Sequence, residues 1–98
     1  MAEAMADRDG DTLRIQGELD FDSVAALCAM AESLFLAEPI RQIDLGGVRH
    51  SNSAGVALLV EWLRQARRRR WEPVFVNVPP QMRAIIAVAD LETVLPVI

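Results

Sequence analysis

The chain has 98 residues, the size of one small domain, and its 52% hydrophobic and 24% charged residues are typical of a globular protein. A formal net charge of −4 argues against a general nucleic-acid binder. No stretch approaches the roughly 20 apolar residues of a membrane-spanning helix, and the start carries no secretion signal, so we expect a cytoplasmic protein.

The first eleven residues are short of apolar periodicity. They contain the turn-like cluster Asp9-Gly10-Asp11, and we predict either a flexible N-terminus or a weak first strand for residues 1–11. A single domain then spans residues 12–98. It opens with residues 12–17, where polar and apolar side chains alternate as they do in a half-buried strand.

A first helix is predicted after a turn at residues 17–20. Asp22 or Ser23 can cap this helix by accepting a backbone N–H bond, and Pro39 ends it. Its apolar positions recur at three- and four-residue steps and include Cys28, the only cysteine. Because Cys28 has no partner for a disulfide within the chain, we expect it to act as a small buried hydrophobe.

A second strand and a second helix follow. Residues 43–45 predict a short strand, closed by a turn at Gly46-Gly47. The helix begins near Asn52 or Ser53, both good N-cap residues, and runs to about Arg70.

The remaining segment predicts a third strand at residues 74–76 and a third helix introduced by Pro79-Pro80. Residues 91–98 form a last short strand or a packed tail. The buried stripe of the third helix is predicted to be Met82, Ile85, Ile86 and Ala89. Alternating strands and helices predict an α/β fold, with a sheet of about four mainly parallel strands and three helices.

The junction between residue 43 and residue 55 is the most informative part of the sequence. A strand leads through a polar loop to Asn52-Ser53, and Ala54-Gly55 allows close backbone approach in the first helical turn. Ser53 either caps the helix or presents its hydroxyl to a partner or a phosphate. A helix start favours a phosphate because its free N–H groups and dipole attract negative charge.

Four motifs in the same order resemble the STAS domain family. They are Gly17-Glu18-Leu19-Asp20, Asp44-Leu45, Asn52-Ser53-Ala54-Gly55 with its apolar helix, and Val78-Pro79-Pro80-Gln81-Met82-Arg83. That family includes bacterial anti-sigma-factor antagonists and the small cytoplasmic subunit of the Mla phospholipid-transport ABC complex. The run that begins at Asn52 is most similar to the lipid-transport branch.

The resemblance implies a role for Ser53, which matches the family's hydroxyl position. That hydroxyl is phosphorylated in the antagonists and lies at the ATPase-facing surface in the transport subunit. Asn52 stands where the antagonists usually have an aspartate, and its amide lacks the carboxylate's charge. This difference favours docking without a phosphate switch.

The second helix also carries Leu58 and Trp62, four residues apart and away from the face expected to cover the sheet. We predict either that this pair is exposed as a protein interface, alone or between two copies of the chain, or that it packs against a neighbouring helix. Arg67 to Arg70 close the helix where its dipole favours cations. Contact between these arginines and anionic lipid or an acidic partner is a weaker alternative.

The sequence offers no convincing catalytic centre. Ser53 lacks the glycine context of a strained nucleophile elbow, and His50, the only histidine, is the sole candidate base for a serine hydrolase. No residues have metal-ligand spacing, and Gly46-Gly47 lacks the lysine of a phosphate-binding loop. We therefore expect a non-enzyme without cofactor or metal.

The resemblance implies a subunit that binds the ATPase of a phospholipid-transport ABC complex, and through it the permease, peripheral to the inner membrane. It would bind no nucleic acid and would associate with the membrane only through the complex. The predicted partner-binding residues are Asn52, Ser53, Ala54, Gly55, Leu58 and Trp62. The alternative is an anti-sigma-factor antagonist with Ser53 as phosphoacceptor.

Overall fold

The structure is a computed structural model that describes residues 4–35 and 38–98. Four strands and three helices follow one another along these residues. Their bounds are β1 Met5–Asp9, β2 Thr12–Leu19, α1 Phe21–Phe35, β3 Gln42–Ser51, α2 Ser53–Arg68, β4 Val74–Val76 and α3 Pro80–Val88.

The four strands form one sheet in the order β1-β2-β3-β4. β1 pairs with β2 in antiparallel fashion, and β2–β3 and β3–β4 are parallel. The prediction of a mainly parallel four-stranded sheet with three helices is confirmed. β1 lies within residues 1–11, for which the sequence left a flexible start and a weak strand as alternatives.

All three helices lie on one face of the sheet. Successive parallel strands are neighbours in sequence order, so crossovers of the usual right hand place α1 and α2 on the same side. α2 contacts α1 on one flank and α3 on the other, and α3 also contacts β3. The helix-facing side chains of β2, such as Leu13 and Ile15, are buried, whereas Arg14 and Gln16 on the opposite face are exposed.

The predicted turn at Gly46-Gly47 is wrong, because β3 continues through both glycines to Ser51. A side chain at Gly47 would begin 2.8 Å from Gln16 Cγ and 3.0 Å from the Ile15 carbonyl oxygen on β2. Glycine is therefore needed there for close contact between neighbouring strands, not for a turn. The loop expected between residues 46 and 51 is strand.

The first helix is capped by Asp20, and the predicted caps Asp22 and Ser23 are wrong. The Ser23 backbone N–H donates to Asp20 Oδ1 at 2.8 Å, and the Asp20 N–H donates to Ser23 Oγ at 2.9 Å. This reciprocal pair is a capping box, in which Ser23 is the return partner three residues into the helix. Pro39 lies beyond the last described helical residue, Phe35, and residues 36–37 lie outside the described part.

The third helix begins at Pro80, as predicted, and buries Met82 and Ile86 against the core. Ile85 is half-buried. Ala89 was predicted to be buried but is exposed, because the helix ends at Val88 and Ala89 is its C-cap. After the helix, Val97 makes a single parallel bridge to Phe75 of β4 and Leu95 is buried.

Cys28 is half-buried on α1, beside a groove between α1 and α2 that is also lined by Gln65. Burial raises the pKa of the Cys28 thiol, and the nearby carboxylate of Glu61 raises it further. A raised pKa lowers the thiolate fraction at neutral pH. Within residues 4–35 and 38–98, no helix has both the length and the apolar character needed to cross a membrane.

Candidate docking site

The β3–α2 junction lies at the edge of the sheet where the parallel strands β2 and β3 end. β3 ends at Ser51, and α2 begins two residues later at Ser53. The Asn52 backbone N–H donates to the carbonyl oxygen of Leu19 at 3.1 Å, so the junction is held against the end of β2. Both neighbouring helices, α1 and α2, therefore start from a common rigid edge.

Asn52 is the N-cap of α2. Its backbone is extended, with φ −99° and ψ −167°, and its side-chain Oδ1 accepts a hydrogen bond from the Ala54 N–H at 2.8 Å. The sequence allowed Asn52 or Ser53 as the cap, and the structure assigns the cap hydrogen bond to Asn52. Ser53 is the first helical residue and is exposed, so its hydroxyl lies at the surface outside the cap.

Ala54 and Gly55 are buried and pack within the domain. A Cβ on Gly55 would overlap the Ser51 hydroxyl and would lie 3.0 Å from Leu19 Cβ. The buried Ser51 hydroxyl in turn donates to the Asn52 carbonyl oxygen at 2.9 Å. These contacts fix the direction in which Ser53 leaves the strand edge.

A residue that sequence reasoning missed, Gln81, completes the junction. The Ser51 backbone N–H donates to Gln81 Oε1 at 2.5 Å, which ties the start of α3 to the end of β3. In the sequence, Gln81 is part of the motif at residues 78–83, but neither that motif nor any periodicity indicates its hydrogen-bond partner. A side-chain hydrogen bond thus links the start of α3 to the last residue of β3, two residues before α2 begins.

Of the two alternatives for Leu58 and Trp62, an exposed pair is the one that the structure contradicts. Leu58 is 1% exposed and Trp62 is 0% exposed. α2 is the middle helix of three on one sheet face, so it is covered by the sheet below and by a helix on either side. The alternative of packing against a neighbouring helix is the one that the structure shows. Neither residue can serve as a surface anchor in this fold.

The start of α1 adds an acidic and aromatic corner beside the junction. Phe21, the first residue of α1, is 73% exposed, and Asp20 and Asp22 flank it. The hydrogen bond from the Ser23 N–H, assisted by the Ser23 hydroxyl, holds the pKa of Asp20 below its ordinary value. The carboxylate at this corner therefore stays ionised to lower pH than a free aspartate.

Among residues 4–35 and 38–98, His50 belongs to no group that could hold a metal ion. His50 is exposed on β3 and pairs with Glu18 of β2 across the strands. No group of three or more histidine, cysteine, aspartate or glutamate side chains could hold a metal ion among the described residues.

The arginine cluster lies at the opposite end of α2 from Ser53. Arg67 and Arg68 occupy its last turn, where cations suit the helix dipole. Arg67 Nε lies 3.4 Å from Glu72 Oε1, and the Arg69 guanidinium lies 5.8 Å from the centre of the Trp71 ring. Two of the four arginines thus make contacts within the domain, consistent with a stabilising helix end.

Comparison with known families decides the family of the chain. Residues 3–96 match the family model described as "Mlab, STAS domain". The chain belongs to the MlaB-like STAS domain family. The match includes β1 and continues to residue 96.

Solved structures support the same fold for this STAS domain. It superimposes on the anti-sigma factor antagonist SpoIIAA in its unphosphorylated form with a TM-score of 0.73 and 18% identity, covering 97% of this chain and 87% of the other. An anti-sigma factor antagonist from Mycobacterium paratuberculosis gives a TM-score of 0.71 and 19% identity, covering 99% and 85%. At such identities the likeness establishes the fold alone. No curated protein matches the STAS domain significantly.

Proposed function

We propose that this STAS domain is a non-catalytic subunit that binds the cytoplasmic ATPase of a phospholipid-transport ABC complex. The complex would maintain outer-membrane lipid asymmetry, and the domain would stabilise or regulate the ATPase, peripheral to the inner membrane. The MlaB description of the matching family supports this choice of partner.

The observation that carries the proposal is the exposed Ser53 hydroxyl on a rigid corner. Asn52 caps the helix, Gly55 packs against Ser51, and Leu19 accepts the Asn52 N–H, so the corner is ordered before any partner arrives. A preorganised surface binds without paying to order its own loops. A hydroxyl free of the cap can approach a partner's backbone or side chains closely.

The proposal is tested by purifying the tagged chain from its native cells and identifying the proteins that accompany it. We expect an ABC ATPase together with its permease. A charged Ser53→Glu variant should lose both, because a carboxylate would be desolvated in the contact. Gln42→Glu is the matched control, since it adds the same charge at an exposed position at the opposite end of β3.

Two results would count against the proposal. One is retention of the ATPase by a folded Ser53→Glu variant. The other is recovery of a serine kinase and a sigma factor with the wild-type chain and no ATPase. Circular dichroism of each variant establishes that it is folded before the comparison is made.

The alternative function is a phospho-switched anti-sigma-factor antagonist. Its specific support is the position of Ser53 at the first residue of α2, where helix N–H groups and the dipole favour a phosphate. A phosphate there would expel a partner by charge repulsion and desolvation. Mass spectrometry of the chain after incubation with ATP and a cell extract tests for a phosphate on Ser53, which only this alternative requires.

A further inference from the structure

A groove of about 650 Å³ lies between α1 and α2. Cys28 and Ala29 of α1 line one side, and the other side is lined by Gln65 and Arg68 of α2 together with Arg69, its C-cap. Because each helix supplies one wall, the packing of α1 against α2 holds the groove in shape. We call this feature the α1–α2 groove. Its volume is in the range of sites that receive ligands or the side chains of another protein.

The α1–α2 groove and the Ser53 corner belong to the same pair of helices. Leu19 is paired with Ser51 in the register of β2 and β3, and α1 and α2 each begin two residues after one member of that pair. A stable protein interface buries roughly 800 Å² on each partner, far more than one serine side chain can supply. A partner at Ser53 must cover more surface, and the two helices that start there lead to the groove.

Arg68 is the charged group of the groove that is available to a partner. It is exposed, and among residues 4–35 and 38–98 it has no hydrogen bond or ion pair from its side chain. In contrast, Arg64 pairs with Glu61 at 3.2 Å and Arg67 pairs with Glu72 at 3.4 Å. A guanidinium at the wall of a groove binds a carboxylate well, because it can donate two parallel hydrogen bonds to the two oxygens.

α1 carries the opposite charge near its start. Asp22 is exposed in the first turn, seven residues before Ala29, which is two helical turns or about 10 Å along the axis. Residues at this spacing lie in line on one side of a helix, and the exposed Ala25 lies between them. Glu32, the next charged position of α1, follows beyond the groove. This side of α1 therefore leads from a carboxylate through small uncharged side chains to the groove at Arg68.

We propose that the α1–α2 groove receives an amphipathic helix of the docking protein, with an acidic residue at Arg68 and a basic residue about two turns away at Asp22. This inference rests on the proposed docking function and names the element of the partner that would contact the domain beyond Ser53. Small side chains such as Ala25 allow two helices to approach closely.

The two charges are the reason for this choice of occupant. A helix with the reverse charge order would bring like charges together at Asp22 and at Arg68, which is unfavourable. A helix without an acidic residue would cover the Arg68 guanidinium and leave it without a partner, which also costs free energy. Charges seven residues apart lie on the same side of the partner's helix, as they do on α1.

The occupant is identified with a photo-crosslinking amino acid at Ala29, in the tagged full chain expressed in its native cells. We expect a crosslink to a different protein. Mass spectrometry of the crosslinked peptide should find an amphipathic segment with an acidic and a basic residue about seven positions apart. The same amino acid at Gln16, which is exposed on the sheet face away from the helices, is the control and should give no crosslink to this segment.

The role of Arg68 is tested with the crosslinked protein, purified, as the probe, and calorimetry measures its dissociation constant. Arg68→Glu should weaken binding by about ten-fold or more at low salt and by less at high salt, because salt screens the charges. Arg68→Lys keeps the charge and should bind more tightly than Arg68→Glu. Arg49→Glu makes the same change of charge at an exposed position that lines a depression with Gln16, and it should stay within about two-fold of wild type.

Four outcomes would overturn the inference. They are no crosslink from Ala29, a crosslink only to a second copy of the chain, unchanged or tighter binding by a folded Arg68→Glu variant, and equal losses in Arg68→Glu and Arg49→Glu. In each case the docking function survives if Ser53→Glu still loses the ATPase. A crosslinked protein other than an ABC ATPase, with the expected segment and the expected loss in Arg68→Glu, supports the inference and contradicts the proposed partner.

Discussion

The hydroxyl of Ser51 occupies the space in which a side chain on Gly55 would begin. Ser51 is the last residue of β3, and Gly55 lies in the first turn of α2. Their contact lets the helix start directly against the strand edge, with Leu19 of β2 packed on the same glycine. The exposed position of Ser53 depends on this close approach, because Ser53 lies between the two residues.

Replacing Gly55 by alanine should destabilise the domain. The added methyl group would overlap the Ser51 hydroxyl and crowd Leu19, and overpacking of this kind costs about 1–3 kcal/mol in the free energy of unfolding. Urea unfolding followed by circular dichroism measures the loss. Ala57→Ser on the exposed side of the same helix should change the free energy by less than about 0.5 kcal/mol. An unchanged unfolding midpoint for Gly55→Ala would show that the junction is looser than described.

Substitution of Trp62 should weaken the isolated domain, with no partner present. The side chain is 0% exposed, and removing a buried aromatic group costs about 3–5 kcal/mol. Urea unfolding of Trp62→Ala, or of the milder Trp62→Phe if the alanine variant fails to fold, measures this effect. Phe21→Ala removes an exposed aromatic side chain, and its unfolding free energy should stay within about 0.5 kcal/mol of wild type. Equal unfolding free energies for the Trp62 variants and wild type would contradict the buried position of this side chain and indicate that it is exposed.

The cap on α2 predicts opposite results for two substitutions of Asn52. Alanine removes the oxygen that accepts the Ala54 N–H, and such losses cost about 0.5–2 kcal/mol. Aspartate keeps an acceptor in the same place and adds a negative charge at the positive end of the helix, so Asn52→Asp should be at least as stable as wild type. Thermal unfolding of the two variants side by side makes the comparison. The cap assignment is wrong if aspartate destabilises the domain as much as alanine does.

The capping box at the start of α1 predicts a pH-dependent contribution to stability. The folded-state pKa of Asp20 is lowered from its ordinary value of 3.8, chiefly by the hydrogen bond from the Ser23 N–H. A lowered folded-state pKa means that the ionised group stabilises the fold above its ordinary pKa, and that this stabilisation is lost as the pH falls through the lowered value.

The variant Asp20→Asn isolates this contribution, because asparagine can still cap the helix but does not titrate. The difference in unfolding free energy between wild type and Asp20→Asn should be constant near neutral pH. Below about pH 4 the unfolding free energy of wild type should fall relative to that of Asp20→Asn. Urea titrations at a series of pH values measure it. Parallel profiles of unfolding free energy against pH for the two proteins would mean that the hydrogen bond from Ser23 does not stabilise the ionised Asp20 carboxylate in the folded state.

The sequence predicts those elements of the fold that depend only on residues close to one another in the chain. The alternation in β2 and the proline at the start of α3 depend on neighbouring residues, and the structure agrees with both. The cap of α2 was predicted to be Asn52 or Ser53, and the structure shows Asn52. The predicted turn at Gly46-Gly47 was wrong. Two consecutive glycines are typical of a turn, but β3 continues through both of them. Here the requirement for Gly47 comes from Gln16 on another strand, which the local sequence cannot reveal.

The site was predicted in part, and its errors share a physical origin. Ser53 was expected either to cap α2 or to present its hydroxyl, and it is exposed beside the cap. For Leu58 and Trp62 the sequence left exposure and packing against a neighbouring helix both open, and the structure shows that they are buried. Helical spacing shows which residues of α2 share a face, but it does not show how many faces of the helix are covered by the sheet and by other helices. That number follows from the placement of all three helices on one side of the sheet, with α2 in the middle.

The hydrogen bond from the Asn52 N–H to the Leu19 carbonyl joins two residues that have the whole of α1 between them. The β1–β2 hairpin can form from adjacent residues, but this bond requires the parallel crossover from β2 to β3 to be complete. Contacts between distant residues form late because the intervening loop must first be closed at an entropic cost. The surface around Ser53 is therefore assembled only when the central strand pairing exists, so the proposed partner would bind finished domains in preference to folding intermediates.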